Sequence, residues 1–342
     1  MLVSVSDLNW PDGDGDLHKM AKNEQSNGVN GGPVLPNGFQ QLDTQVAGHQ
    51  FEPTNSSSSS SIGLLQDPQK GYVLKPLGKP ECGERELNFY ESLARAQAGD
   101  VKATREGNDL TLASLSPYVP RFYGHLKLTV NQREHTFIRL EDLTRGMLQP
   151  CVMDVKMGRR TWDPESSAHK RQVEEQKYVI CKQKLGLCLP GFQVYLPANS
   201  TNSSHEGDHS VILRHGKDYG KSLNVAGFKQ TMALFFNAST SDSKAQAAGS
   251  EVLLREILRQ LREILDWFKH QRQLHFYASS LLICYDGSQL SHAKSSILPS
   301  EWIRVRMIDF AHVYPAENGQ ADENYMFGLE SLIEVLESIH HR

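Results

Sequence analysis

Residues 150–158 read PCVMDVKMG and place an acidic and a basic side chain inside an otherwise apolar run. The run predicts a strand over residues 151–156. Because strand side chains alternate with a period of two, Asp154 and Lys156 emerge on the same face. Burying an anion and a cation inside a strand is costly unless each finds a partner. The fold must therefore give this face a polar partner or a ligand.

The pair Asp154 and Lys156 suits phosphoryl transfer. A carboxylate can orient a reacting hydroxyl, while a lysine stabilises charge on the transferred phosphoryl group. A structural ion pair explains the same two residues equally well.

A second charged pair lies earlier in the chain. Residues 72–75 predict a strand that ends in Lys75, and the helical pattern over residues 84–96 carries Glu86. A strand lysine can neutralise nucleotide phosphates, and a helix glutamate can hold it in place. Two solvated surface residues are the alternative.

Two strand ends carry further candidates. Residues 137–144 (FIRLEDLT) predict an apolar strand that leads into an acidic connector, typical of a hinge whose backbone reads an adenine edge. Asp309 ends the predicted strand of residues 302–310, and Mg²⁺ prefers one or two carboxylates plus phosphate oxygens. The neighbouring His312 can donate to a phosphate. An ordinary strand end, a turn-capping Asp and a structural His are the alternatives.

Cationic residues are dense after the Asp154 motif, which suits a small polyanion because each phosphate needs several charge-assisted donors. They are Arg159, Arg160, His169, Lys170, Arg171, Lys177, Lys182 and Lys184. Glu165, Glu174 and Glu175 dilute this charge, which favours a solvated surface as the alternative.

The order of predicted elements indicates an α+β protein with two lobes. Residues 122–130 and 135–140 predict a strand pair around Asn131-Gln132, and residues 276–285 predict a later strand. The longest helical pattern covers residues 251–274, with Ser250 as its expected N-cap, and a closing helix is expected over residues 324–339.

Composition excludes several classes of protein. The net charge is −4, of which residues 1–70 carry −5, so no basic excess supports direct nucleic-acid binding. No run of apolar residues is long enough to span a bilayer, and we expect no integral membrane protein. The five cysteines are odd in number and form no Cys-x-x-Cys, which disfavours a disulfide framework or a zinc site. The motifs of P-loop NTPases, ordinary protein kinases, zinc peptidases and α/β-hydrolases do not occur.

Three motifs together resemble the signature of the inositol polyphosphate kinase family. They are Pro150-x-x-x-Asp154-x-Lys156-x-Gly158, Ser279-Ser280-Leu281-Leu282 and Ile308-Asp309-Phe310. Residues 275–282 (HFYASSLL) and 307–313 (MIDFAHV) look most like the multikinase branch of that family. Residues 153–177 and 188–195 look like its insect form.

The resemblance implies a two-lobed, protein-kinase-like and ATP-grasp-related α+β fold with a small helical insert that binds inositol phosphate. We expect a disordered acidic tail over residues 1–42, the N-lobe and hinge over 43–143, and the C-lobe over 144–342. The inositol-binding segment would span about 163–190. Residues 45–49 (QVAGH) resemble the first strand of the family, which makes residues 56–61 a loop tip inside the N-lobe.

The resemblance also implies which residues would bind the nucleotide. Lys75 would contact the ATP phosphates with Glu86 as its partner, and Asp309 would bind Mg²⁺. Glu141 and Leu143 would supply hinge backbone contacts to adenine.

On the substrate side, Asp154 would lie between ATP and the inositol hydroxyl, and Lys156 would hold the substrate and the transferring phosphoryl group. Further substrate contacts would come from Lys170, Lys177, Lys217 and His312. Val173 and Glu174 stand where vertebrate multikinases carry glutamines. A glutamate at this place would repel phosphates unless it points away or meets a lysine.

The implied activity is Mg-ATP-dependent phosphorylation of inositol 1,4,5-trisphosphate to tetrakis- and pentakisphosphates, with phosphatidylinositol 4,5-bisphosphate head groups as a further substrate. The resemblance also implies a monomeric signalling protein of the nucleus and cytoplasm. An inositol hexakisphosphate kinase and a non-catalytic signalling scaffold are the alternatives, and the presence of Lys75, Asp154, Lys156 and Asp309 speaks against the scaffold.

Overall fold

The computed structural model describes residues 33–51, 61–98, 108–196, 210–238, 244–292 and 297–340. Most of the predicted tail, residues 1–32, and most of the predicted loop tip at residues 56–61 therefore lie outside the described residues. None of the helices in these ranges combines the length and apolar character that a bilayer span requires.

The N-terminal lobe is a five-stranded antiparallel sheet with two helices. Its elements are β1 (Gln40–Gln41), β2 (Leu65–Asp67), β3 (Tyr72–Pro76), α1 (Pro80–Gln97), α2 (Asn108–Leu115), β4 (Phe122–Val130) and β5 (Arg133–Glu141). The strand order is β1-β2-β3-β5-β4. Pro80 opens α1, where a missing N–H costs no intrahelical hydrogen bond.

The predicted hairpin around Asn131 and Gln132 is confirmed. Both residues have positive φ (49° and 62°), as a two-residue hairpin loop with a right-handed strand twist requires. β4 and β5 pair from Val130↔Arg133 outward.

The start of the N-terminal lobe differs from the sequence expectation. The sequence predicts residues 33–42 as part of the tail, but β1 pairs with β2, and Val34 exchanges hydrogen bonds with Asn131. Residues 45–49 are irregular, with a bend at residues 47–48, instead of the expected strand. The Gln45 side chain explains this, because it bonds to Ala47 O, His49 O and Leu64 N and so holds the segment in a closed loop.

The C-terminal lobe is built on a second five-stranded antiparallel sheet, ordered β11-β10-β6-β7-β8. Its strands are β6 (Pro150–Met157), β7 (Leu187–Leu196), β8 (Val211–His215), β10 (Ser280–Asp286) and β11 (Ile303–Ile308), and a separate pair is formed by β9 (Leu274–Phe276) and β12 (Val313–Pro315). Its helices are α3 (Ala168–Glu175), α4 (Val179–Leu185), α5 (Lys217–Ser222), α6 (Val225–Phe235), α7 (Lys244–His270), α8 (Pro299–Trp302) and α9 (Glu323–His340). Short 3-10 helices occupy Ser116–Tyr118, Gly287–His292 and Glu317–Gly319.

The long helix α7 is present and buries one apolar face, but its ends differ from those expected. It runs from Lys244 to His270, so Ser250 lies inside it and donates to Asn237 O instead of capping it. The strand expected over residues 276–285 is divided in two by Ala278, whose φ is 52°.

The predicted inositol-binding segment contains two short helices, α3 and α4. Ser167 caps α3 by accepting from the Lys170 N–H at 3.2 Å. α4 ends at Gly186, which has φ of 64°, the left-handed conformation that commonly closes a helix. The fold is α+β with two sheets and a helical segment, as the sequence predicts.

Candidate active site

Asp154 and Lys156 lie on the central strand of the C-lobe sheet. In the register of β6 with β10, Asp154 faces Leu282 and Lys156 faces Ser280, so both side chains emerge on one face. On the other side of β6, Asp154 lies opposite Gly191 of β7. The predicted common face is therefore confirmed.

The carboxylate of Asp154 is buried, and its Oδ1 makes no hydrogen bond of good geometry within the described ranges, although the Ser280 hydroxyl is close enough to lower the pKa of the carboxyl group slightly. Burial, with a smaller contribution from the negative charge of Asp309, raises the pKa of Asp154 to about 6. Lys156 opposes this shift. A buried carboxylate with an unsatisfied oxygen is typical of a site that receives a ligand.

The second charged pair meets the Asp309 carboxylate. Lys75 Nζ lies 2.7 Å from Glu86 Oε1 and 2.6 Å from Asp309 Oδ1. Glu86 Oε1 also accepts from the Phe310 N–H at 3.1 Å, so one helix residue holds both the lysine and the backbone next to Asp309. The predicted partnership of Lys75 and Glu86 is present in the structure.

Asp309 and Lys75 each keep the other in its charged form. Burial alone would raise the pKa of Asp309, but the charges of Lys75 and Lys156 outweigh it and hold the pKa below its ordinary value. Burial likewise would lower the pKa of Lys75, and Asp309 and Glu86 reverse that direction. Asp309 has φ of 66°, an uncommon backbone conformation for a residue other than glycine.

An apolar cluster lies at the end of β5, where the hinge is predicted. Its buried members are Leu143, Val152 and Cys284, and the residues packed against them are Val46, Met147 and Leu282. Such a cluster can accept the faces of a flat aromatic base.

Some backbone groups of the predicted hinge are already bonded within the protein. The Glu141 N–H donates to Arg121 O at 2.9 Å, and Leu143 O accepts from Arg304 Nη1.

Lys170 and His312, both predicted to bind substrate, converge on one buried acid. His312 Nδ1 lies 2.5 Å and Lys170 Nζ 3.4 Å from Asp163 Oδ2, and Ser166 donates to the other oxygen. Burial alone would raise the pKa of Asp163, but the Ser166 hydrogen bond and the charges of His312 and Lys170 lower it. The acid therefore stays ionised and holds the Lys170 ammonium and the His312 imidazole in place.

Glu174 meets a lysine instead of facing the site as a free charge. Its Oε1 lies 2.7 Å from Lys177 Nζ, its Oε2 accepts from Thr161 at 3.2 Å, and Lys182 Nζ bonds to its backbone oxygen. Burial would raise the pKa of Glu174, but these partners hold it below its ordinary value. Lys177 is therefore paired with a carboxylate. The Val173 side chain is 40 % exposed.

Lys217 stands apart from these contacts. It is exposed and opens α5 just after β8, whose His215 pairs with Phe192 next to Gly191. Within the described ranges, the structure shows no hydrogen bond or ion pair between Lys217 and the other candidate residues.

A family model described as inositol polyphosphate kinase matches residues 137–337, more than half of the chain. The chain belongs to the inositol polyphosphate kinase family. The matched residues include the Asp154 strand, the helical segment and Asp309. The resemblance stated from the motifs is thereby confirmed.

Several relatives in this family extend over most of the chain. The inositol polyphosphate multikinase of Rattus norvegicus is 33 % identical over 256 residues, which are 75 % of this chain and 56 % of the relative. The inositol hexakisphosphate kinase 3 of Homo sapiens is 28 % identical over 321 residues, covering 84 % of this chain and 72 % of the relative. The chain thus spans little more than half the length of the rat multikinase.

The fold of the family is also found in solved structures. The inositol phosphate multikinase of S. cerevisiae in complex with ADP and Mn²⁺ aligns with a TM-score of 0.57 and 22 % identity, covering 78 % of this chain and 98 % of that one. This likeness confirms the predicted fold class.

Sequence reasoning missed three residues that surround the site and contact its neighbours: Asp163, Arg85 and Glu165. Asp163 holds two predicted substrate ligands, and Arg85 Nη2 lies 2.8 Å from Glu165 Oε2 across the two lobes. From the sequence, Glu165 only dilutes the positive charge of the basic segment. The spacing of these residues is a signal: Asp163 and Glu165 are two positions apart, and so are their partners His312 and Tyr314.

The residues present fit a divalent cation held partly by a nucleotide. No group of three or more His, Cys, Asp or Glu side chains placed to hold a metal occurs in the described parts of the chain. Asp309 and the unpartnered oxygen of Asp154 offer two carboxylates, the number Mg²⁺ uses when phosphate oxygens supply further ligands.

Proposed function

We propose that this protein transfers the terminal phosphate of ATP to inositol polyphosphates, and that it converts inositol 1,4,5-trisphosphate to tetrakis- and pentakisphosphates. The observation that carries the proposal is the buried Asp154 carboxylate, which has one unpartnered oxygen and is flanked by the charges of Asp309, Lys156 and Lys75. The multikinase names of the relatives support the choice of substrate.

The nucleotide would lie between the two lobes. The apolar cluster around Leu143 would receive the adenine, and Lys75, held by Glu86, would neutralise phosphate charge. Mg²⁺, when bound, neutralises charge on the phosphates, and Asp309 would hold it.

Asp154 and Lys156 would act on the reacting groups. The Asp154 carboxylate accepts the hydrogen bond of the attacking hydroxyl and orients it, while the Lys156 ammonium stabilises the phosphoryl group in transit. Lys170, Lys177, Lys217 and His312 would supply donors for the phosphates of the substrate. Transfer needs no covalent intermediate, because positioning and charge stabilisation suffice.

Mass-resolved product analysis with inositol trisphosphate, ATP and Mg²⁺ tests the proposal. We expect successive addition of phosphates by the wild type and loss of turnover in Asp154→Asn and Lys156→Ala. The matched controls Asp266→Asn and Lys269→Ala change exposed residues of α7 and should turn over normally. Undiminished activity of both site variants would refute the proposal.

An inositol hexakisphosphate kinase that makes pyrophosphates is the second candidate, favoured by the 28 % identity to the human hexakisphosphate kinase. The same product analysis, run with hexakisphosphate, separates the two. Binding of protein partners that survives both site substitutions, with no ATP consumption, would indicate a signalling scaffold instead.

We further propose that the site accepts phosphatidylinositol 4,5-bisphosphate head groups. The aliphatic side chains of Val173 and Ile180 are 40 % and 50 % exposed on α3 and α4, beside the lysines of the segment, where they can contact a lipid surface. Phosphorylation of the lipid in vesicles tests this. A monomeric protein of the nucleus and cytoplasm remains our proposal, which size-exclusion chromatography with light scattering and microscopy of the tagged protein would test.

A further inference from the structure

The segment that follows β11 is contacted by α1 on one side and by the start of the inositol-binding segment on the other. On the N-lobe side, the consecutive α1 residues Arg85 and Glu86 bond to the backbone of Ala311 and Phe310, at 3.3 and 3.1 Å. Phe310 also stacks on Phe89 of the same helix, with ring centroids 4.4 Å apart. The backbone next to Asp309 therefore follows the position of α1.

The inositol-binding segment holds the same chain from the other side. Asp163 contacts His312, and Glu165 contacts Tyr314. The two residues on each side of this contact are two positions apart. The Tyr314 hydroxyl donates to Glu165 Oε2 at 2.9 Å.

Arg85 joins these two sets of contacts. Its Nη2 lies 2.8 Å from Glu165 Oε2, its Nη1 bonds to the Tyr314 hydroxyl, and its Cζ lies 4.6 Å from the Tyr314 ring centroid. Three elements distant in sequence, α1, the start of the inositol-binding segment and β12, thus meet at one guanidinium.

The exposure of this junction argues against a purely structural role. The Glu165 side chain is 67 % exposed and that of Arg85 29 %. An ion pair so open to solvent adds little to folding stability. Its contacts nevertheless exist only while the helical segment and α1 lie against each other. In α1, Arg85 is adjacent to Glu86, which holds Lys75.

We propose that Arg85 is a positioning residue that couples occupation of the inositol-binding segment to the geometry of Lys75, Glu86 and Asp309. This inference rests on the proposed function. A phosphorylated ligand bound to the helical segment favours the arrangement in which Glu165 lies on Arg85, and this contact holds α1 and with it the lysine that would meet the nucleotide. By linkage, a nucleotide must tighten the binding of inositol phosphate by the same factor.

Calorimetric binding measures this coupling directly. The dissociation constant of a non-hydrolysable ATP analogue with Mg²⁺ is determined with and without saturating inositol 1,4,5-trisphosphate. We expect a coupling factor of about fivefold or more in the wild type. Arg85→Gln should reduce this factor about two- to thirtyfold, and a factor of one means that the coupling is lost completely. The dissociation constant measured for each ligand alone should stay within about twofold of the wild-type value.

Two companion variants separate positioning from mere structure. Arg85→Lys keeps the charge and should retain part of the coupling. The double variant Arg85→Gln with Glu165→Gln should lose no more coupling than Arg85→Gln alone, because each substitution removes the same contact. Arg95→Gln is the matched control, since Arg95 lies on the same helix and pairs only loosely with Glu91, at 3.9 Å.

The outcomes are distinct. An unchanged coupling factor in Arg85→Gln overturns the inference, as does a loss of both single-ligand affinities together with a lower melting temperature. A wild type that binds neither ligand and forms no phosphorylated product refutes the proposed function itself. Normal turnover by a wild type without coupling refutes only the role of Arg85.

Discussion

The backbone carbonyl of Val46 occupies the space that a side chain on residue 191 would need. A Cβ added to Gly191 would come 2.0 Å from Val46 O and 3.0 Å from His215 O. Gly191 lies opposite Asp154, and Val46 packs on the apolar cluster around Leu143. The absence of a side chain at residue 191 therefore lets the loop of Val46 approach the Asp154 strand and pack on the apolar cluster around Leu143.

Gly191→Ala should therefore displace the loop of Val46 and weaken nucleotide binding. We expect overpacking to cost about 1–3 kcal/mol of unfolding free energy. We also expect a rise of about tenfold in the dissociation constant of an ATP analogue, equivalent to about 1.4 kcal/mol. Gly78→Ala is the control, since a Cβ there meets nothing within 4 Å. Equal affinity in both variants would show that the loop does not contribute.

Asp154→Asn should abolish turnover and at the same time stabilise the fold at neutral pH. The pKa of Asp154 is about 6 in the folded protein, above its ordinary value of 3.8, so the fold favours the neutral form. The wild type therefore loses stability as the pH rises through 6, and the asparagine variant does not. The difference in unfolding free energy should reach up to about 3 kcal/mol at pH 7.

Urea unfolding of both proteins between pH 4 and 7 measures that difference. It should shrink steadily as the pH falls, because below pH 3.8 Asp154 is protonated whether the chain is folded or not. A difference that does not vary with pH would contradict the raised pKa.

Asp163→Asn should disturb substrate binding more than the chemical step. Asp163 is buried and orients both Lys170 and His312, so a neutral residue at this position leaves both side chains without the charge that fixes their direction. Losing one charge-assisted contact corresponds to an increase of about tenfold in the KM for inositol trisphosphate, with a smaller change in kcat. Steady-state kinetics at saturating ATP measures both.

The same variant should shift the titration of His312. Burial and the charge of Lys170 lower the pKa of His312, and Asp163 opposes them. Removing that opposition should lower the pKa further, which an NMR titration of the imidazole detects. Asp266→Asn is the matched control, because Asp266 also faces a histidine, His270 at 3.6 Å, but on an exposed helix surface.

The sequence predicts the central strand of the site well and its periphery poorly. Asp154 and Lys156 share a face because a strand has a fixed period, and this needs no knowledge of the rest of the chain. Arg85 and Tyr314 are 229 residues apart, and no local pattern brings them together. The role of Glu165 follows only from that tertiary contact.

The ends of elements were less predictable for a related reason. Ser250 has the chemistry of an N-cap, but the helix continues six residues before it and the hydroxyl bonds to Asn237 O instead. The strand expected at residues 45–49 is replaced by a loop that the Gln45 side chain closes. In both places, a side-chain hydrogen bond to a distant or looping backbone overrides the local propensity.

Glu174→Gln should increase the affinity for inositol phosphates. The substitution removes a negative charge from the segment and releases Lys177, which now lies 2.7 Å from the carboxylate, while an amide oxygen can still accept from Thr161. We expect the dissociation constant of inositol trisphosphate to fall about three- to tenfold, since one charge-assisted contact is gained. The gain should shrink in 0.5 M salt, where the Debye length is only about 4 Å. Glu175→Gln, at the adjacent exposed position, is the control, and an equal gain in that variant would mean that net charge alone sets the affinity.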